Sequence, residues 1–135
     1  MTDVRRTGPP RRLEDRTRFG VPIEGDVDGI WQRAFHAEII EEARRHPDLS
    51  GGDFFGKSLT INPDQITFYF VGDAPLLPRY LDMIEAAIAP ANHTATQQRH
   101  RLDAAAAEAE RKVHDRDEEM ERELRAWVET QSATI

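Results

Sequence analysis

Leu59-Thr60-Ile61-Asn62-Pro63-Asp64-Gln65-Ile66-Thr67-Phe68-Tyr69-Phe70-Val71 reads as two short strands around a turn. Asn62-Pro63-Asp64 is turn chemistry, because Pro presets φ and Asn and Asp hydrogen-bond their own backbone. Leu59 and Ile61 lead in, and Ile66, Phe68 and Phe70 then alternate with Thr67, Tyr69 and Val71, the composition of a strand. A hairpin is expected from about Lys57 to Val71. Both faces of its second strand read as apolar or aromatic. A two-stranded ribbon is marginal alone, so this one requires a third strand, a helix layer or a second subunit.

Just upstream, Gly51-Gly52-Asp53-Phe54-Phe55-Gly56-Lys57-Ser58 matches the phosphate-binding pattern G-x-x-x-x-G-K-[ST] in full. That pattern works where a strand enters it and a helix leaves it, so that helix-terminal N–H groups and the Lys converge on phosphate oxygens. Here a helical pattern precedes it and a hairpin follows. Asp53 would face the phosphates, and Phe54 and Phe55 are bulky where backbone must approach closely. The stretch is read as a Gly-rich turn into a strand, and no cofactor is expected.

Working outward, Asp26 or Asp28 caps a helix over about 26–45. Val27, Ile30, Trp31, Ala34, Phe35 and Ile39 fall on one face of it, and His46-Pro47 closes it. Before it, Phe19, Val21 and Ile23 alternate with Gly20, Pro22 and Glu24, a short strand that its Pro would confine to a sheet edge. After the hairpin, Asp73 caps a helix beginning near Pro75, with Leu77, Leu81, Ile84 and Ile88 on one face, and Ala89-Pro90 is expected to end it. The fold class is therefore α+β: a small βαββα-like domain, a short hairpin packed by two helices, followed by one further long helix.

That last helix is expected over about His93 to Glu129, a stretch without Pro or Gly and rich in Ala, Glu and Arg. Leu102, Ala106, Ala109, Val113, Arg116, Met120, Glu123 and Trp127 follow one another at alternating steps of four and three, the rhythm of a coiled-coil seam. Two of these positions are charged and two are Ala, so the seam is thin. An apolar face this narrow seldom holds a long helix alone. We expect its first half to pack on the body and Val113, Met120, Leu124 and Trp127 to form an oligomer interface. The alternative is a solvated helix with a frayed end.

Charge is divided unevenly. Residues 1–20 hold six Arg against Asp3, Glu14 and Asp15, a net of +3, which leaves −10 on the rest of a chain of net −7. The arm carries Gly8-Pro9-Pro10 and few apolar residues, too little to offset its ordering entropy. The expected layout is a disordered basic arm over 1–18, an α+β domain over 19–90, a long helix over 91–130 and a disordered tail over 131–135. Arg5, Arg6, Arg11, Arg12, Arg16 and Arg18 are candidate nucleic-acid contacts. The other reading is a tail that folds back on its own acidic body.

Catalytic patterns are weak. Glu42 with His46, and Glu110 with His114, lie four apart on expected helices, but di-iron sites use Glu-x-x-His with further Glu on facing helices. Both pairs read as solvated ion pairs, so no metal is expected. No G-x-S-x-G elbow occurs. The chain has no Cys, which removes disulfides, thiolate chemistry and Cys-based zinc sites. Sixteen Arg against two Lys, with many Ala and Asp, is the usage expected of a GC-rich prokaryotic or phage genome. No apolar run approaches the roughly 18 residues of a membrane span. Phe68, Tyr69 and Phe70 lack the surrounding positive charge of base-stacking sheets and are read as core. No motif carries a family resemblance. The expectation is a cytoplasmic, non-enzymatic association module whose partners are itself and an unidentified protein. The alternative is a nucleic-acid-associated accessory protein that uses the Arg arm.

Overall fold

The structure, a computed structural model, describes residues 2–49 and 59–133. The phosphate-loop-like match at Gly51–Ser58 lies outside them. The architecture is α+β: an antiparallel sheet of five short strands and two α-helices, the second of them long. The strands are β1 (Arg5–Arg6), β2 (Arg11–Arg12), β3 (Arg18–Glu24), β4 (Thr60–Ile61) and β5 (Gln65–Tyr69). Helix α1 runs Gly29–Arg45, and a single 3-10 turn at Ala74–Leu76 leads into α2, Leu77–Ala133.

The hairpin forms as its turn chemistry dictates. Asn62 N–H donates to the Gln65 carbonyl at 2.9 Å, which sets Ile61 opposite Ile66 and Thr60 opposite Thr67. The third strand it required is β3, which pairs along the other side of β5 with Val21 opposite Ile66 and Phe19 opposite Phe68. Opposed residues share a face, so Phe19, Val21, Ile23, Ile66 and Phe68 point one way and join one core. Trp31, Phe35 and Ile39 of α1 and Tyr80, Met83, Ile84, Ala87, Ile88, Ala91 and Ala95 of α2 complete it. The reading of β5 as apolar or aromatic on both faces is corrected in part, since Thr67 on the second face is buried but polar. Its other face is Gln65, Thr67 and Tyr69, and Tyr69 remains 41% exposed.

Three further expectations are corrected. The arm over 1–18, expected to be disordered, is built into the sheet: β1 and β2 both pair with β3 on its outer side, and Val4 is buried. One side chain, Asn92, ties the arm to the body. Asn92 Oδ1 accepts the Val4 N–H at 2.9 Å and the Trp31 indole N–H at 2.8 Å, while Asn92 Nδ2 donates to the Val4 carbonyl at 2.8 Å. Gly25, at φ +120°, lets the Asp3–Val4 backbone come so close that a Cβ there would meet the Asp3 carbonyl oxygen at 2.4 Å. These contacts order a segment whose composition alone would leave it mobile.

Pro22 does not confine β3 to an edge. Its carbonyl accepts the Thr7 N–H at 3.0 Å, so its main chain faces the outer strands, at the point where β1 has ended and β2 has not begun. Between Arg6 opposite Ile23 and Arg11 opposite Gly20, four arm residues span only two of β3. The missing N–H thus falls at a bulge, where a sheet tolerates Pro.

Pro90 does not end a helix either; it lies inside α2. The carbonyl that its ring displaces is that of Ala86, an exposed position, while Ile84, Ala87, Ile88, Ala91 and Ala95 stay buried through the Pro. Packing on both sides of the Pro outweighs the missing bond. Helix α1 is close to expectation: Asp28 caps it, its Oδ1 accepting the Trp31 N–H at 2.9 Å, and Trp31 stacks on Phe35 with ring centroids 5.0 Å apart. The chain divides into two compact units, Met1–Gln98 and Arg99–Ile135. No helix among the described residues is long and apolar enough to cross a membrane.

Candidate functional site

Two surfaces carry the residues that the sequence singled out. The first is the C-terminal part of α2. Val113, Met120, Leu124 and Trp127 are all exposed, at 61%, 58%, 63% and 61%, where large apolar side chains of a folded chain are ordinarily covered. Leu102 and Val128 join them at 57% and 49%. The three-and-four spacing that buries Ile84, Ile88, Ala91 and Ala95 is thus repeated in the second unit without cover from its own residues. Around the stripe the surface is charged and laced with local pairs. Arg111 meets Glu108, Arg125 meets Glu121 at 3.8 Å, and His114 Nε2 lies 3.2 Å from Glu118 Oε1.

Leu102 and Val128 were not among the expected interface residues. The signal for Leu102 is legible in the sequence, because Leu102, Val113 and Leu124 recur every eleven residues, which is three turns of helix almost without drift.

The second surface is formed by the six arm Arg, and the structure sorts them into two sets. Arg5 pairs with Glu24, and Arg6 Nε donates to Glu85 of α2 at 2.9 Å, so these two hold the arm to the acidic body. Arg11, Arg12, Arg16 and Arg18 have no carboxylate within ion-pair distance among the described residues. Arg11 reaches Gln65 Oε1 at 3.2 Å, Arg12 Nε donates to the Arg16 carbonyl at 2.7 Å, and the Arg12 and Arg18 guanidiniums lie over Phe19 and Tyr69 at 5.9 and 5.5 Å.

Arg12 and Arg16 border an open cleft of about 410 Å³ floored by Phe19, Phe70, Ala74 and Leu77. No local pattern announces this cleft. Its walls come from the β2–β3 turn and the end of β5, which are joined by the Phe70 N–H donating to the Thr17 carbonyl at 2.8 Å. Within that turn Asp15 accepts the Thr17 hydroxyl at 2.7 Å and the Thr17 N–H at 3.2 Å. These bonds hold its carboxyl below the ordinary Asp value of 3.8.

Neither Glu–His pair assembles a metal site. Glu42 is bonded to Arg45 at 2.5 Å and His114 to Glu118, not to Glu110. Among the described residues no group of three or more His, Asp or Glu side chains is placed to hold a metal ion. Ser50 and Ser58 lie outside the described residues. No family model, curated protein or solved structure matches this chain.

Proposed function

We propose that the chain is a non-enzymatic protein–protein association module, an assembly or accessory factor that self-associates through the C-terminal part of α2 and works in the cytoplasm. The observation that carries this is the uncovered stripe of Val113, Met120, Leu124 and Trp127. Burying an apolar side chain of this size releases about 1.5–3 kcal/mol, and an isolated amphipathic helix gains most of its stability from what its apolar face packs on. The test is the double substitution Leu124→Glu and Trp127→Glu. Sedimentation velocity should move from dimer to monomer, with the thermal midpoint of residues 1–98 unchanged. An unchanged sedimentation coefficient would remove the stripe from the interface.

A second reading is supported by the four arm Arg that have no carboxylate within ion-pair distance among the described residues, two of them beside a cleft lined by Phe19 and Phe70: contact with nucleic-acid phosphates. Each neutralised phosphate adds about 0.9 to the slope of log affinity against log salt on duplex DNA. Since the arm is part of the sheet, the clean test is Arg11, Arg12, Arg16 and Arg18 to Gln together, not deletion. Loss of binding, with a slope of up to about 3.6 in the parent, would favour this reading; absence of binding at low salt would dismiss it.

A further inference from the structure

We infer that the element covering the α2 stripe is the same stripe of a second copy running antiparallel, with Leu102–Ala109 of one chain against Met120–Trp127 of the other. This rests on the self-association proposed above and adds its direction. Three features of residues 99–133 argue for reversal.

The first is size. Ala106 and Ala109 make the stripe small between Leu102 and Val113, while Met120, Leu124 and Trp127 make its late half large. A parallel in-register pair would set Ala against Ala and Trp127 against Trp127, forcing the axes together at one end and apart at the other. Reversal sets Met120 against Ala109 and Leu124 beside Ala106, with Trp127 against Leu102, so no position stacks two Trp or two Ala and the spacing stays nearer even, within the usual interaxial range of about 8–10 Å.

The second is the pair of charged residues within the seam. In a parallel pair Arg116 would face Arg116 and Glu123 would face Glu123, like charges at the centre of the contact. In the reversed pair Arg116 faces Val113, which its aliphatic stem can cover while the guanidinium reaches solvent. Glu123 then lies beside Ala106.

The third is the distribution of flanking charge. Residues 99–112 hold four basic against three acidic side chains, whereas residues 113–132 hold seven acidic against three basic. Parallel association lays the acidic half on itself. Antiparallel association brings Arg111 and Lys112 alongside Asp117 and Glu118 of the second copy and also opposes the helix dipoles.

Because the chain has no Cys, single-Cys variants read the direction directly. A disulfide requires Cα atoms within about 7 Å. In the reversed pair position 106 lies beside position 124 of the second copy, while each of these positions is separated from its own copy by about 25 Å or more of helix. Ala106→Cys and Leu124→Cys, one carrying a size tag, are mixed and mildly oxidised. The expected result is the mixed disulfide alone, with each variant remaining uncrosslinked when oxidised by itself. Homodisulfides in the separate samples would overturn the antiparallel arrangement and leave self-association standing. No disulfide in any sample at a dimer mass would also overturn it, and a monomer mass would overturn both.

Discussion

Asn92 is the residue on which the N-terminal segment depends, and local sequence gives no hint of it. One amide satisfies both polar groups of the Val4 peptide and the Trp31 indole across 88 and 61 residues of chain. Asn92→Ala would leave the buried indole N–H and the Val4 groups without partners, a loss of about 2–4 kcal/mol. Chemical denaturation should register it, with faster amide exchange at Val4 than at Phe68. Unchanged exchange at Val4 would mean that strand pairing alone holds the arm. Asp15 offers a finer probe. The Thr17 hydroxyl and N–H favour its charged form, so its folded pKa lies below the unfolded one. It therefore adds stability above about pH 4, and that contribution fades as pH falls through the lowered pKa. A carboxyl titration followed by NMR should place Asp15 below ordinary Asp, and Thr17→Val should move it back up. A midpoint unmoved by that substitution would assign the shift to another cause.

At the scale of elements, Pro90 separates what local rules can and cannot decide. A Pro inside a helix removes one backbone bond and crowds the carbonyl four residues earlier. Here the crowded carbonyl belongs to exposed Ala86, and buried residues flank the Pro on both sides. Pro90→Ala should therefore stabilise the first unit, by about 1–3 kcal/mol, as a rise in the thermal midpoint. A fall would show that the Pro ring contributes packing that the helix needs. The α1 cap and apolar face, the Asn62-Pro63-Asp64 turn and the Ile66–Phe68 face were legible because each depends on neighbours within a few positions. The arm, the bulge at Pro22 and the cleft beside Arg12 were not, since each depends on contacts between residues far apart in sequence. The Arg arm shows the difference most plainly. Its composition describes a mobile segment, and Gly25, Asn92, Glu24 and Glu85, all outside it, supply what orders it.

At the scale of the whole molecule, the seam was legible as a rhythm but not as a surface. Spacing put Val113, Met120, Leu124 and Trp127 on one side of a helix, and only the fold shows that residues 99–133 leave that side without cover from within the chain's second unit. The charged interruptions at Arg116 and Glu123, which weaken the seam as a parallel coiled coil, become compatible with pairing when one helix is reversed. An uncovered stripe of this kind is proposed to be buried by self-association. Static light scattering of the 135-residue chain at micromolar concentration is the decisive measurement. Twice the 15.4 kDa chain mass is expected, falling toward the chain mass on dilution. A mass of 15.4 kDa that does not change with concentration would contradict it.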